Sequence, residues 1–134
     1  MEFELNYTFD VPPQKLYLAW LNSNSHSEMT GADANINDKI GSIFTACDEY
    51  ISGENLELKP NTYIKQAWRT SEFTENQENS IVEIFLEEIG KDKTNLKLIH
   101  KKLGENKSDY AYKQGWIDHY FEPMAEYFKS QTIV

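Results

Sequence analysis

Apolar and polar residues alternate along the start of the chain. Every second residue of 2–9 is apolar, namely Phe3, Leu5, Tyr7 and Phe9. A period of two is typical of a strand with one buried face. Pro12 and Pro13 are tolerated in a first helical turn, and the apolar face of 16–20 predicts a short helix there. The polar cluster 22–27 should end this helix, and a second short helix is expected before Gly31.

Short alternating segments separated by turn residues fill the middle of the chain. They predict six further strands at 32–36, 43–47, 50–58, 63–69, 80–88 and 94–102. No connection between consecutive strands is long enough for a parallel crossover, so the sheet should be antiparallel. Gly53 lies inside one of these segments and suggests a β-bulge.

The last third of the chain carries a different period. Aromatic and apolar residues recur three or four positions apart, at Tyr112, Trp116, Tyr120, Met124 and Tyr127. This spacing predicts one long helix with a single buried face. Pro123 should kink that helix, and Gly115 suggests either close approach to the sheet or room at a cavity mouth.

Together these elements predict one α+β domain over residues 1–134. A curved antiparallel sheet of about seven strands should wrap around the long C-terminal helix, with two short helices after the first strand. A cavity between the helix and the sheet is the natural place for a ligand.

Charge and composition narrow the possible partners. The 134 residues carry 13 basic and 22 acidic side chains, a formal charge of −9, which repels phosphate backbones and anionic lipids. Neither nucleic acid nor a membrane is therefore an expected partner. The first residues resemble no export leader, so a cytoplasmic location is expected. The single cysteine, Cys47, excludes an internal disulfide and a thiolate metal site, and no metal or other cofactor is predicted.

Eight residues on the predicted inner faces are candidates for lining the cavity: Trp20, Trp68, Leu96, Leu98, His100, Tyr112, Trp116 and Tyr120. His100 shares a face with Leu96 and Leu98, where its imidazole could orient a polar ligand group or form a hydrogen bond within the core. The tryptophans could likewise line a pocket or fill a core. His26 and His119 are expected to be exposed. No phosphate loop or Ser-His-Asp order is present, so no catalytic residue is assigned.

Several segments, in order, resemble one family. They are the run from Phe9 to Trp20, Pro60, the strand ending in Trp68 and Arg69, the strand 94–100, and Gly115 and Trp116 with Met124 and Phe128. This pattern is similar to the AHSA1-like domains, named for the activator of Hsp90 ATPase, within the START and Bet v 1-like (SRPBCC) superfamily. The resemblance implies a helix-grip fold with a cavity between helix and sheet.

Three functions are compatible with this resemblance. The first is non-enzymatic binding of a small hydrophobic or aromatic molecule in the cavity, by a monomer or weak homodimer. The second is a chaperone-associated module of the stress response that acts through its surface, like the Hsp90 co-chaperones. The third is a cyclase-like enzyme that uses His100 or a cavity tyrosine. A pocket of several hundred Å³ would favour the first or third function, and a filled core the second.

Overall fold

A computed structural model describes residues 1–132 of the chain. The helices and strands are β1 (Phe3–Phe9), α1 (Pro13–Trp20), α2 (Ser23–Thr30), β2 (Ile43–Ala46), β3 (Ile51–Lys59), β4 (Tyr63–Thr70), β5 (Ser80–Gly90), β6 (Lys93–Lys101), α3 (Asp109–Trp116), a π-helical turn (Ile117–Phe121) and α4 (Glu122–Thr132). The two short helices and the helical C-terminal region are those predicted from the sequence.

The strands form one antiparallel sheet in the order β1-β6-β5-β4-β3-β2. Its inner face carries apolar side chains that are almost fully buried, including Val82, Ile84, Leu96 and Leu98. The long helical segment covers this face, because Trp116, Tyr120, Phe121, Met124 and Phe128 are also buried in the same core. The predicted α+β helix-grip architecture is confirmed, with six strands in the sheet.

The prediction of a seventh strand, at 32–36, is wrong. Only Asn35 forms a β-bridge, to Thr45, and the flanking residues bond to α2 instead. The Ser27 hydroxyl accepts from the Ala34 amide at 2.9 Å, and the Ser23 hydroxyl accepts from the Ile36 amide at 2.9 Å. Serine side chains have therefore replaced a neighbouring strand as hydrogen-bond partners for this segment.

The π-helical turn ends at Phe121, two residues before Pro123. Glu122 donates its backbone N–H to the Ile117 carbonyl, five residues back. Proline has no N–H and its ring crowds the carbonyl four residues earlier, so a widened turn accommodates it. The turn also places Trp116 and Phe121 on the same side, with their rings 6.1 Å apart and nearly parallel. Phe121 was missed in the sequence because a 3.6-residue period puts it elsewhere.

The structure corrects the predicted role of Gly53 and excludes one of the two roles predicted for Gly115. The register of β3 and β4 shifts between Asn55 and Glu57, so the bulge is not at Gly53. A Cβ atom at Gly53 would collide with the Ala67 carbonyl oxygen and lie 2.7 Å from the Phe44 ring, so glycine permits close packing there. Gly115 does not approach the sheet, because a Cβ atom on it would meet nothing within 4 Å.

These two positions should respond oppositely to alanine. Gly53→Ala should lower the free energy of unfolding by about 1 to 3 kcal/mol through overpacking. Gly115→Ala should raise it by about 1 kcal/mol, because alanine is the better helix former and has space for its methyl group. Urea denaturation of both variants beside the parent protein would measure the changes. Destabilisation by Gly115→Ala would show that its surroundings are closed.

Candidate functional site

Aromatic rings fill the space between the long helix and the sheet. Trp116 lies with its ring centroid 5.1 Å from Trp68 and 4.9 Å from Tyr120. Trp20, from the end of α1, packs 5.0 Å from Tyr120 and stacks on Trp68 and Trp116 at 6.4 Å. The structure thus brings four of the eight predicted site residues into mutual contact, and each is at most 5% exposed.

The other four predicted residues lie beside this aromatic cluster. Leu96 and Leu98 are buried in β6, and His100 follows them on the same face, as predicted. Tyr112 is half-buried in the first turn of the long helix, with its ring 6.2 Å from that of His100. Binding of a ligand by these eight residues stays a prediction.

His100 joins the sheet to the long helix. The Trp116 indole N–H donates to His100 Nδ1 at 3.1 Å, so that nitrogen must be the acceptor. In the neutral ring Nε2 then carries the hydrogen and donates to the Ser80 hydroxyl at 2.8 Å, and Ser80 donates in turn to the Trp68 carbonyl at 2.7 Å. Burial lowers the pKa of His100 to about 3, because the charged ring would lose its hydration.

His26 was predicted to be exposed, and this is wrong: the residue is fully buried. Its Nδ1 donates to the Trp20 carbonyl at 2.7 Å, and its Nε2 accepts from the Tyr120 hydroxyl at 3.0 Å. The Cys47 thiol is half-buried and lies beside the same tyrosine hydroxyl. Desolvation lowers the pKa of His26, and burial raises that of Tyr120. His119 is exposed, as predicted.

A third network of buried hydrogen bonds, beside those of His100 and His26, was not predicted from the sequence. The Trp20 indole N–H donates to the Gln66 side chain at 3.2 Å, and the Gln66 amide donates to Asn55 at 2.9 Å. Asn55 then donates to the backbone carbonyls of Asn37 and Lys39 at 2.8 and 3.1 Å. Both amide residues are fully buried. The inward position of Gln66, between Ile64 and Trp68, was the available signal for this network.

The polar groups of the site are therefore paired with one another. Among the described residues, no buried side-chain nitrogen or oxygen lacks a hydrogen-bond partner. Within the same part of the chain, no three His, Cys, Asp or Glu residues are grouped so as to hold a metal ion. The arrangement stabilises neutral imidazole rings. It does not activate the Cys47 thiol as a nucleophile, since burial and Asp48 raise the pKa of that thiol.

Among the described residues, two of the grooves lie outside the helix-sheet interface, and none of the eight predicted residues lines either of these two. The first, of about 640 Å³, lies between α1, the start of α2, the loop at 36–38 and the end of α4. The second, of about 660 Å³, lies over the ends of β5 and β6 beside Phe85 and Lys97. No helix among residues 1–132 is both long and apolar enough to cross a membrane.

The sheet gripped by a terminal helix defines a helix-grip protein of the START and Bet v 1-like class. Residues 10–129 match the family described as "Activator of Hsp90 ATPase homolog 1-like protein", and the chain belongs to this family. It is 27% identical over 124 residues to the human activator of 90 kDa heat shock protein ATPase homolog 1, covering 92% of this chain and 36% of the human protein. The chain thus spans about a third of that relative's length.

Solved structures show the same fold. An HSP90 activator from Plasmodium falciparum superimposes with a TM-score of 0.80 at 24% identity, over 90% of each chain. An Aha1 dimer from Colwellia psychrerythraea superimposes with a TM-score of 0.71 at 14% identity, over 89% of this chain and 90% of that one.

The two buried histidines should make stability depend on pH. Their folded pKa values lie below the ordinary value of 6.5, so below pH 6.5 the unfolded chain binds more protons than the folded one. The stability that depends on neutral histidines should be present above pH 6.5 and lost on acidification, with a slope that approaches about 1.4 kcal/mol per pH unit for His100. Protonation of His26 in the unfolded chain should add to the loss in the same direction.

Urea denaturation at intervals between pH 7 and about pH 5.5 would measure this slope. The depressed carboxyl groups of Glu72 and Glu83 begin to reduce stability only at lower pH, where their unfolded forms, with a pKa of about 4.5, take up protons. His100→Gln should reduce the slope. His119→Gln, at an exposed position, is the control for replacing a histidine by glutamine. A stability that stays constant over this range would contradict the assigned neutral tautomers.

Proposed function

We propose that this chain is an interaction module for an Hsp90-type chaperone and acts through its surface. The proposal rests on the observation that aromatic rings fill the space between the long helix and the sheet, which is the interior of the grip. The rings that stack on one another there are those of Trp20, Trp68, Trp116 and Tyr120. A ligand could enter that space only by displacing rings and exposing the polar groups they satisfy. Binding of a protein partner needs no such opening.

The relatives support the same partner. The human protein and the Plasmodium falciparum protein are both named as activators of Hsp90, and the match to each covers at least 90% of this chain. The formal charge of −9 suits a cationic surface on the partner, and it would accelerate association at low salt. The chain covers only part of the human relative. The proposal therefore concerns binding to the chaperone and does not extend to stimulation of its ATPase.

Binding of a small hydrophobic ligand remains the alternative. One observation favours it: His100 is held neutral and buried beside the half-buried Tyr112, where a polar ligand group could replace Ser80 or Trp116 as its partner. A cyclase-like activity would use the same imidazole, whose pKa of about 3 makes it a poor base at neutral pH.

A ligand inside the grip should be detected by the tryptophans. Titration with an apolar fluorescence-quenching probe should leave the emission of the folded protein nearly unchanged if the core is filled. If a ligand does enter, a polar one should bind about 1 to 3 kcal/mol more weakly to His100→Ala, while a purely apolar one should be little affected. Saturable quenching by the apolar probe would favour the ligand-binding alternative over the surface module.

The chaperone proposal predicts a salt-sensitive complex. Isothermal titration of the folded chain into Hsp90 from the same organism should give binding at low salt that weakens as the ionic strength rises. An unrelated protein of similar size and charge is the control for nonspecific attraction. ATPase turnover measured in the same samples would report whether this domain alone stimulates the chaperone. No binding at tens of micromolar would reject the proposal.

A further inference from the structure

The groove between α1, α2 and α4 has the features of a prepared binding site. Its floor is apolar and buried, being formed by Leu21, Ile36 and Phe128 with the ring of Tyr17. Its volume of about 640 Å³ falls in the range of small-ligand pockets. None of these floor residues belongs to the aromatic cluster inside the grip.

The walls of the groove are held by internal hydrogen bonds. The Ser23 hydroxyl donates to the Ile36 carbonyl at 3.0 Å and accepts from the Ile36 amide at 2.9 Å, which ties α2 to the loop at 36–38. Asn55 anchors the same loop from inside the sheet by donating to the Asn37 carbonyl at 2.8 Å. A ligand would therefore meet a site that is already formed.

The side chains around the groove offer hydrogen-bond donors. The Asn22 side-chain oxygen accepts from the Ser25 backbone N–H, and the Asn37 side-chain oxygen accepts from the Lys39 backbone N–H. These bonds fix both amide orientations, so the two NH₂ groups remain as donors. At the start of α2 the first backbone N–H groups also have no partner within the helix.

Tyr17 supplies a further donor. The residue is 6% exposed, and its hydroxyl makes no hydrogen bond to any of the described residues. No fully enclosed side-chain oxygen in that part of the chain is unpaired, so the accessible part of Tyr17 must include its hydroxyl. Burial and the Asp38 carboxylate raise the pKa of this phenol, which keeps it protonated.

One charge of each sign completes the groove. Lys15 and Asp38 both line it, and neither forms an ion pair among the described residues. Each charge is thus available to a ligand. The complementary ligand has apolar side chains for the floor, a carboxylate for Lys15, a cationic or N–H donor for Asp38, and carbonyl oxygens for the free amide groups.

We propose that this groove binds a short apolar peptide with free ends, its carboxylate at Lys15 and its amino end at Asp38. Such a peptide is neutral overall, so the charge of −9 does not repel it. The proposal is independent of chaperone binding, because it concerns a site formed by α1, α2 and α4 alone.

Three forms of one peptide test the charge assignment. Trileucine, its N-acetyl derivative and its C-terminal amide would be titrated into the full chain by ¹H–¹⁵N NMR, which also locates the site. Trileucine should shift the side-chain amide signals of Asn22 and Asn37, and each blocked form should bind about tenfold more weakly because one charge-assisted contact is lost.

Variants then assign each contact. Lys15→Gln should abolish the difference in affinity between trileucine and its C-terminal amide. Asp38→Asn should abolish the difference in affinity between trileucine and its N-acetyl derivative. Both residues are exposed, so these substitutions should leave folding unaffected. Tyr17→Phe should weaken trileucine severalfold. Matched controls are Lys65→Gln on the opposite face of the sheet and Tyr110→Phe at an exposed position. Equal binding of all three peptides, shifts confined to other residues, or no binding at millimolar concentration would each overturn the proposal.

Discussion

The fold depends on pairing the polar atoms of its aromatic core without burying a charge. Covering the sheet with Trp116 and Tyr120 takes an indole N–H and a phenol hydroxyl out of water, where each would destabilise the core if unpaired. Two neutral imidazoles accept them, at 3.1 Å from Trp116 to His100 and 3.0 Å from Tyr120 to His26. The helix is thereby attached to β6 and, through the Trp20 carbonyl, to α1.

This pairing explains why the helix changes its pitch where it does. Trp116 and Tyr120 must keep their hydrogen-bond partners, while Pro123 cannot continue an ordinary helical ladder. The π-helical turn at Ile117–Phe121 follows Trp116, contains Tyr120 and ends before Pro123. It also has Phe121 as an additional buried core residue. The sequence predicted a kink at the proline, and the structure has a local change in hydrogen bonding that begins before it.

The sequence correctly predicted the elements that depend only on a local repeat of apolar residues. The prediction failed where side chains took the place of a neighbouring strand as hydrogen-bond partners, and where the helical period changed. Strict alternation at 2–9 and 94–102 places β1 and β6 correctly, because strand pairing preserves a two-residue repeat. Segment 32–36 has the same pattern, yet Ser23 and Ser27 satisfy its amides. The inward position of His100 was predicted, whereas His26 was missed because α2 carries too few apolar residues to define a face.

Strand register also explains how the buried polar residues meet, which no single strand reveals. Pairing aligns His100 with Val82, Val82 with Gln66 and Gln66 with Asn55, so the buried polar residues share one row across the sheet. At one end of this row His100 holds the long helix, and at the other Asn55 holds the loop beside the groove. The buried polar row between the long helix and the sheet thus positions elements on both sides of the core, including the loop that borders the groove.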